Sequence, residues 1–447
     1  MRYLVLLLLF ACAHGPTLHQ TGASILQLGT TENSSEFNIL AKKNEKLETL
    51  VVTAEGENIA PTAHEIVSRA DSEWVIHQFQ FAGLKATSEY LQLIVKADNK
   101  LIDQRQFKLF SNQGEGLKFI VGSCSDHRMH ENQAQMWQTV AAQKPEWLFL
   151  IGDNLYAVYK ESEVKDERTL WERYVESRRS LELYRLKDLI PVHATWDDND
   201  YGQKDGGQNF ALKEASQKTF KTFFSPRFTV ESMEQGPGIA TRLNLRGMHF
   251  TFLDNRSFRD NESIDGEHFG KDQETWLFND LKTAQLPTWI ISGDQFFGGY
   301  QKFESFEGRH PRAFESFLTR LKDVSTPFVF VSGDRHMTEI MQFPKALFGQ
   351  LSFEFTSSPF HGKLYPGPGV ASNNPWRVVA RDDQLNFMLI QTTLEETSWN
   401  IDIRSMNHEG KELFRRDLSL TTEALKDFTI EKRQKRRRYR RARWRRR

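Results

Sequence analysis

Beyond about residue 117, short apolar runs alternate with segments of helical periodicity, and this alternation limits the fold more than any other feature. Apolar runs bounded by polar turns are typical of strands buried on both faces. Strands that alternate with helices indicate a layered α/β fold. The predicted strands are 118–121, 147–151, 191–195, 249–253, 289–291, 328–331, 352–355 and 387–392. The predicted helices are 131–143, 167–187, 211–224, 272–282 and 311–322.

The segment 24–112 has a different pattern, in which apolar and polar residues alternate one by one. The clearest runs of this kind are 47–53, 74–81 and 90–95. Alternation with a period of two predicts half-buried antiparallel strands. We therefore expect a small all-β sandwich domain of the Ig/FnIII-like kind, which we interpret as a stabilising module without chemistry of its own. Turn-forming residues at 111–116 separate it from a second domain, 117–428.

The first 23 residues have the composition of a signal segment and linker. Arg2 precedes an apolar stretch, 3–11, which has the length of a signal-peptide core and is too short to span a bilayer. The run Leu9-Phe10-Ala11-Cys12 resembles the bacterial lipobox, in which the cysteine is lipidated. We therefore expect an exported bacterial protein, a periplasmic or outer-membrane lipoprotein whose lipid is attached to Cys12. Simple secretion and a retained anchor are the alternatives.

The charges of the chain are divided unevenly between its body and its C-terminus. The sequence has 59 Lys and Arg against 59 Asp and Glu. Twelve of the basic residues lie in 432–447, where no acidic residue occurs, so the rest of the chain has 47 basic against 59 acidic residues. The zero net charge therefore combines an acidic body with a basic tail. Like charge of this density predicts that 429–447 is disordered when free.

The Arg-rich tail also contains two aromatic residues, Tyr439 and Trp444. Such a tract can bind an anionic membrane lipid or envelope polyanion through charge and an aromatic anchor. It can also bind nucleic acid through phosphate contacts and stacking, or stay solvated. On an exported protein we favour the membrane lipid or envelope polyanion over nucleic acid.

Most predicted strands of the second domain end in residues that can bind metals or donate hydrogen bonds. These ends read Gly122-Ser-Cys124, Gly152-Asp153-Asn-Leu-Tyr156, Trp196-Asp197-Asp198-Asn199-Asp200, Leu253-Asp254-Asn255-Arg256, Gly293-Asp294-Gln295 and Gly333-Asp334-Arg335-His336. In open α/β sheets the carboxyl ends of strands face the ligand crevice, so these distant residues are expected to meet there. Crowded carboxylates need compensating charge, because each raises the pKa of the others. Two metal ions roughly 3.5–4 Å apart would supply it and suit phosphate chemistry.

The ligand types suggest two kinds of metal. Thiolate and phenolate favour a transition ion, whereas carboxylate and amide oxygens suit Ca2+, Mn2+ or Mg2+. Only two cysteines occur, Cys12 and Cys124, so a disulfide framework is excluded. Cys124 alone would be explained as a buried structural thiol, but with Asp153 and Tyr156 we interpret it as a ligand.

The ordered set of strand ends, from about 118 to 392, resembles the PhoD-like alkaline phosphatase family of metallophosphatases. The resemblance implies an α/β metallophosphatase-like layered sandwich core, preceded by the small β-sandwich. It also implies an exported phosphomonoesterase or phosphodiesterase with Fe3+ and Ca2+, with Mn2+, Mg2+ or Zn2+ as alternatives for either ion.

Site residues carry over one by one from the same resemblance. Cys124, Asp153 and Tyr156 would hold the iron, with Asp153 bridging to the second metal. Asp198, Asp334 and His336 would serve that second metal, and Asp197 is a weaker candidate. Catalytic roles would fall to Asn199, Arg256 and His336. Arg256 would either clamp a phosphate oxygen in bidentate fashion or form an ion pair within the domain.

The chain departs from the family at two positions. Family members commonly have His where this chain has Asn199, and Asn where it has Lys204. The first change removes a proton donor for the leaving group, and the second removes an oxygen ligand or substrate contact. Two hypotheses follow. In the first, a metal pair lowers the pKa of a bound water and the hydroxide attacks a phosphate ester. The alternative is a catalytically weak, metal-bearing envelope-binding protein with a polybasic tail.

Overall fold

The computed structural model describes residues 22–420, apart from 86–89, 115, 161, 229, 262, 284 and 300–304. Cys12, the predicted signal segment up to residue 21 and the predicted tail 429–447 lie outside the described residues. Within the described part of the chain, no helix has the length and apolar character needed to cross a membrane.

The first unit, 24–107, has strands joined by turns and contains no helix among its described residues. They are β1 (Ser24–Thr30), β2 (Ser34–Lys42), β3 (Leu47–Val52), β4 (Asn58–Ile59), β5 (Ala63–Ser68), β6 (Trp74–Ala82), β7 (Leu91–Ala97) and β8 (Lys100–Phe107). They form two antiparallel four-stranded sheets in the orders β1-β2-β6-β5 and β4-β3-β7-β8. Phe37 and Phe107 come from opposite sheets, and their ring centroids lie 4.9 Å apart in the shared core.

The second unit contains two larger sheets. Its strands are β9 (Gly116–Gly122), β10 (Trp147–Ile151), β11 (Val192–Thr195), β12 (Met233–Gln235), β13 (Thr241–Leu245), β14 (Met248–Phe252), β15 (Thr288–Ile291), β16 (Phe328–Ser332), β17 (Thr338–Phe343), β18 (Ser352–Ser357), β19 (Arg377–Arg381), β20 (Phe387–Leu394), β21 (Trp399–Met406) and β22 (Glu412–Leu420). The sheet orders are β11-β10-β9-β20-β21-β22 and β12-β13-β14-β15-β16-β18-β17-β19. Parallel pairing joins β9, β10 and β11 in one sheet and β14, β15, β16 and β18 in the other.

The two sheets contact each other through one face each, and the longer helices pack on their other faces. The helices are α1 (Gln133–Ala142), α2 (Glu167–Ser180), α3 (Asp198–Tyr201), α4 (Lys213–Phe224), α5 (Lys271–Thr283), α6 (Phe306–Arg309), α7 (Pro311–Leu321), α8 (Lys345–Phe348) and α9 (Pro368–Ala371). Between the sheets, Phe119 of β9 meets Phe250 of β14 at a centroid distance of 5.3 Å. Helices α1, α2 and α4 pack on the first sheet, and α5 and α7 pack on the second.

All eight predicted strands of this unit are present, but the helix predicted over 167–187 is too long. Helix α2 ends at Ser180, and Leu181 has the extended angles φ −74° and ψ 129°. A short 3-10 turn, Glu182–Arg185, follows. Leu181 and Leu183 are both buried. In a continuing helix, Leu181 and Leu183 would point to different sides of the helix. Because the helix ends at Ser180, both side chains can be buried.

The two units are joined through buried polar contacts. The guanidinium of Arg178, on α2, donates to the carbonyl oxygens of Asn38 at 2.7 Å and Ser24 at 3.2 Å. The amide of Asn38 donates in turn to the carbonyl of Thr222 at 3.0 Å. Since unpaired buried polar groups are costly, these bonds fix the first unit against α2 and α4.

Candidate metal centre

The candidate ligands lie in the loops that follow β9, β10, β11 and β16. Backbone hydrogen bonds hold these loops in place. The amide of Cys124 donates to the carbonyl of Gly152 at 3.1 Å, and the amide of Gly333 donates to the carbonyl of Gly293, in the loop after β15, at 3.0 Å. Cys124 Sγ lies 3.9 Å from the carbonyl oxygen of Asp334, so the centre spans both sheets. The structure thus brings together residues that are about 210 positions apart in sequence.

Glycine is required where these loops pass one another. Gly152 has φ +100°, and a Cβ there would lie 2.8 Å from Cβ of Asp197. At Gly333 a Cβ would lie 2.6 Å from Ser123 Oγ and 2.7 Å from the carbonyl oxygen of Ile151. Any side chain at either position would push the loops apart, so each Gly-Asp pair is needed to bring its aspartate to the centre.

Four of the predicted ligands have left-handed backbone conformations. They are Cys124 at φ 58°, Asp153 at φ 51°, Asp334 at φ 62° and His336 at φ 49°. This conformation costs an L-residue roughly 1–2 kcal/mol. Strained backbone tends to cluster where side-chain placement serves a function, so its repetition at four predicted ligands supports a site here.

Three buried carboxylates form the acidic part of the centre. Asp153, Asp197 and Asp198 each offer an oxygen within 4.8 Å of the others. Burial, followed by the charges of Asp198 and Asp197, raises the pKa of Asp153 well above its usual range. A bound cation would remove this penalty, so the donor set fits a metal ion. Asp197, the weaker candidate in the sequence, belongs to the cluster.

The thiol of Cys124 and the phenol of Tyr156 form a second group of donors next to the carboxylates. Cys124 is fully buried, and its Sγ lies 3.8 Å from Asp153 Oδ2. Burial, and then the charges of Asp153 and Asp334, raises the pKa of Cys124. Burial also raises the pKa of Tyr156, with Cys124 and Asp153 adding to the effect. Both groups are therefore neutral until a cation displaces their protons, which makes them suitable metal ligands.

His336 presents one ring nitrogen toward the same donors. Its Nδ1 bonds to the carbonyl oxygen of Lys363, which can only accept, so Nδ1 carries the proton. Nε2 is then the acceptor, and it takes a hydrogen bond from the Tyr156 hydroxyl at 3.4 Å. Burial lowers the pKa of His336, which keeps the ring neutral. A neutral imidazole oriented by a backbone carbonyl is the usual arrangement of a histidine ligand.

Arg256 has one of its two predicted roles in this structure, the ion pair. Its side chain is buried, and its Nε donates to Asp197 Oδ1 at 2.7 Å, with Nη2 on the same oxygen. The amide of Asn255 donates to that oxygen as well, at 2.7 Å. These contacts neutralise and orient Asp197.

Lys204, the second departure from the family, is exposed. The contact to the centre comes from the next residue, because the backbone amide of Asp205 donates to Asp198 Oδ2 at 2.9 Å. Sequence reasoning did not find this contact, since a backbone donor leaves no side-chain signature.

Asp200 is a positioning residue that the sequence analysis did not assign. It is fully buried, and it accepts from the backbone amides of Asn154 at 3.0 Å and Asp197 at 2.9 Å. It thereby ties the loop after β10 to the loop after β11. The sequence does contain an indication of this role, because Asp197 and Asp200 have the spacing of a capping box at the start of α3.

Two comparisons bear on this centre. A family model described as PhoD-like phosphatase matches residues 119–394. The chain is 23% identical over 356 residues to alkaline phosphatase D of Bacillus subtilis (strain 168), an alignment that covers 65% of this chain. It spans 59% of that relative's length. All the candidate ligands in the second unit fall inside the range that the family model matches.

Proposed function

The chain belongs to the PhoD-like phosphatase family, and we propose that it is an exported, metal-dependent phosphoesterase acting on phosphomonoesters or phosphodiesters. The observation that carries the proposal is the buried cluster of Asp153, Asp197 and Asp198 with Cys124 at its edge. Buried carboxylates at this density are costly without a cation, and the cluster lies inside the range matched by the family model. We assign the two facing sheets to a metallophosphatase-like α/β sandwich and the first unit to an Ig/FnIII-like module.

We assign the metals by donor chemistry. Cys124, Asp153 and Tyr156 would hold Fe3+, because thiolate and phenolate suit a transition ion. Asp153, Asp198, Asp334 and His336 would hold Ca2+ as the second metal, and Mn2+, Mg2+ or Zn2+ are alternatives for either ion. When bound, the pair would supply an activated water nucleophile and neutralise phosphate charge.

The chain's own residues preorganise this chemistry. Asn199 donates its side-chain amide to both Asp153 and Asp198, at 2.9 Å and 3.0 Å. Arg256 compensates the charge of Asp197. Because these contacts fix the carboxylates before any ligand arrives, little reorganisation is needed when phosphate binds.

Hydrolysis of p-nitrophenyl phosphate and bis(p-nitrophenyl) phosphate by the purified, metal-loaded protein tests the proposal. We expect turnover that chelation abolishes and that Asp153→Asn reduces strongly. The variant Asp265→Asn changes an exposed aspartate paired with Arg312 and serves as the control. Absent turnover on both esters, with metals shown to be bound, would favour the envelope-binding alternative that Asn199 and the basic tail suggest.

We also propose that Cys12 is lipidated, which would place the protein in the periplasm or at the outer membrane. The residues 432–447 would then bind anionic lipid or an envelope polyanion, since twelve basic residues and two aromatic residues occur there. Mass spectrometry of the membrane fraction tests the first proposal, because a protein without lipid on Cys12 contradicts it.

A further inference from the structure

An exposed aromatic side chain stands next to the metal centre. Tyr365 is 52% exposed, and it is the one aromatic among the large hydrophobic side chains exposed in the described part of the chain. Its ring centroid lies 5.2 Å from that of His336 at an interplanar angle of 63°. Since His336 Nε2 is 3.4 Å from the Tyr156 hydroxyl, one ring separates Tyr365 from the centre.

The loop that carries Tyr365 is fixed against the centre by its backbone. The amide of Phe360 donates to the carbonyl of Ser123 at 2.8 Å, and that of His361 donates to the carbonyl of Cys124 at 3.4 Å. The carbonyl of Lys363 holds the His336 ring through its Nδ1. The residues that precede Tyr365 in the loop are thus held against the centre, and one of them also orients a candidate ligand.

A cation accompanies this aromatic ring. The ammonium of Lys363, an exposed side chain, lies 5.0 Å from the Tyr365 ring centroid. The guanidinium of Arg128, which is paired with Asp126, lies 5.3 Å from the Tyr156 ring centroid. An exposed ring with an exposed lysine ammonium beside it offers a stacking surface next to a positive charge that can attract a phosphate ester.

We propose that Tyr365 is a specificity-determining residue, whose ring stacks on a planar aromatic or heteroaromatic group carried by the organic part of the phosphate ester. The inference rests on the proposed phosphoesterase function and narrows its substrate class. Exposed hydrophobic side chains that occur singly are ordinary. Tyr365 differs from them because it contacts His336 and because its loop is built into the centre.

Two substrates that share the same scissile bond, one with and one without a planar ring, isolate the effect of that ring on kcat/KM. Adenosine 5′-phosphate and ribose 5-phosphate both release a primary alkoxide, so the chemistry of the leaving oxygen is matched while the planar base is present in only one. We expect the wild-type protein to have a larger kcat/KM for adenosine 5′-phosphate. Stacking of one base is typically worth about a 5- to 150-fold effect on truncation to alanine, so Tyr365→Ala should lower the ratio by about that factor.

Matched variants separate stacking from general damage. Tyr365→Trp retains a ring and should keep the preference. Tyr90→Ala is the control, because Tyr90 also has a lysine over its ring, with Lys108 at 4.4 Å, but lies where the two units meet. We expect that control to leave the ratio of the two kcat/KM values unchanged.

Calorimetric titration with adenosine and with ribose measures ring recognition without turnover. Binding of adenosine that is stronger than that of ribose, and that weakens in Tyr365→Ala, supports the inference. An equal affinity for the two, or a preference that survives in Tyr365→Ala, overturns it. Ring-dependent binding without hydrolysis of any phosphate ester would contradict the phosphoesterase proposal and leave the stacking role of Tyr365 supported.

Discussion

The side-chain amide of Asn199 donates to Asp153 Oδ2 at 2.9 Å, and its backbone amide donates to Oδ1 of the same carboxylate at 3.2 Å. The amide group also reaches Asp198 Oδ1 at 3.0 Å. One residue therefore sets the separation of two candidate ligands. Asn199 therefore acts as a positioning residue in this chain, at a position where the family commonly has His.

Replacing Asn199 with alanine should weaken metal binding. The change removes both side-chain bonds to Asp153 and Asp198, and losing a partner that orients ligands typically costs about 10–100-fold in metal affinity. Competition with a chelator measures the affinity. Asn33→Ala, in an exposed turn of the first unit, is the control. An unchanged affinity would show that the amide does not orient the ligands.

Metal binding should release protons and should therefore strengthen as pH rises. Burial raises the pKa of both Cys124 and Tyr156, so each group is protonated in the metal-free protein and must lose its proton to become a ligand. Calorimetry in buffers of different ionisation enthalpy counts the protons. Cys124→Ser should release fewer protons than the wild type, and an equal release in both proteins would exclude a thiolate ligand.

Iron held by these two groups should be coloured. A ferric ion bound by the Cys124 thiolate and the Tyr156 phenolate is expected to absorb visible light through ligand-to-metal charge transfer. Cys124→Ser and Tyr156→Phe should each bleach or shift the band while folding is largely retained, because each removes a ligand and little core volume. An active, colourless and iron-free protein would refute the iron assignment.

Asp294 should stabilise the fold in a pH-dependent manner. It is buried, and its Oδ2 lies 2.9 Å from His268 Nε2 and 3.5 Å from Arg259 Nη1. Burial raises its pKa, but the charges of His268, Arg259 and Arg256 outweigh burial and hold the pKa well below its usual range. The carboxylate therefore contributes stability that is present above the unfolded pKa of about 3.9 and is lost in more acidic solution.

Asp294→Asn should accordingly cost about 3–5 kcal/mol at pH 7, because it removes a buried carboxylate that faces the buried guanidinium of Arg259. The difference from wild type should shrink as pH falls below about 4. Denaturant titrations at several pH values measure it. Asp265→Asn, at an exposed pair with Arg312, should change stability by less than about 1 kcal/mol. A constant difference across this pH range would mean that Asp294 acts through packing alone.

Most candidate ligands of the metal centre could be predicted from the sequence, because they follow apolar runs that predict strands, and two of them stand in Gly-Asp pairs. Contacts between residues that are distant in the sequence could not be predicted in this way. Arg256 pairs with Asp197 across 59 positions, and nothing local to either residue distinguishes an ion pair from a phosphate clamp. Strand β21 could have been predicted, because apolar Trp399, Ile401 and Ile403 alternate with polar residues in the sequence. All three are buried in the structure.

Truncation after Glu431 should abolish binding to anionic liposomes or lipopolysaccharide at low salt and leave hydrolysis of a small soluble ester unchanged. The removed residues carry twelve basic side chains and no acidic one. Attraction between exposed charges is screened within about 8 Å at physiological ionic strength, so binding by the full chain should weaken as salt is added. Salt-insensitive binding that the truncated protein retains would assign it to another surface.

The last prediction concerns the leaving group, for which Asn199 cannot act as a proton donor. General acid catalysis is typically worth about 10²–10⁴ in rate, and alkyl leaving groups need it more than nitrophenolate does. We therefore expect the wild-type protein to hydrolyse activated aryl esters much better than alkyl phosphates, and Asn199→His to narrow that gap. An imidazole would also remove the amide contacts to Asp153 and Asp198, so metal content must be measured alongside kcat/KM. If the ratio of aryl to alkyl kcat/KM is unchanged while metal content is preserved, the residue at position 199 is not the missing proton donor.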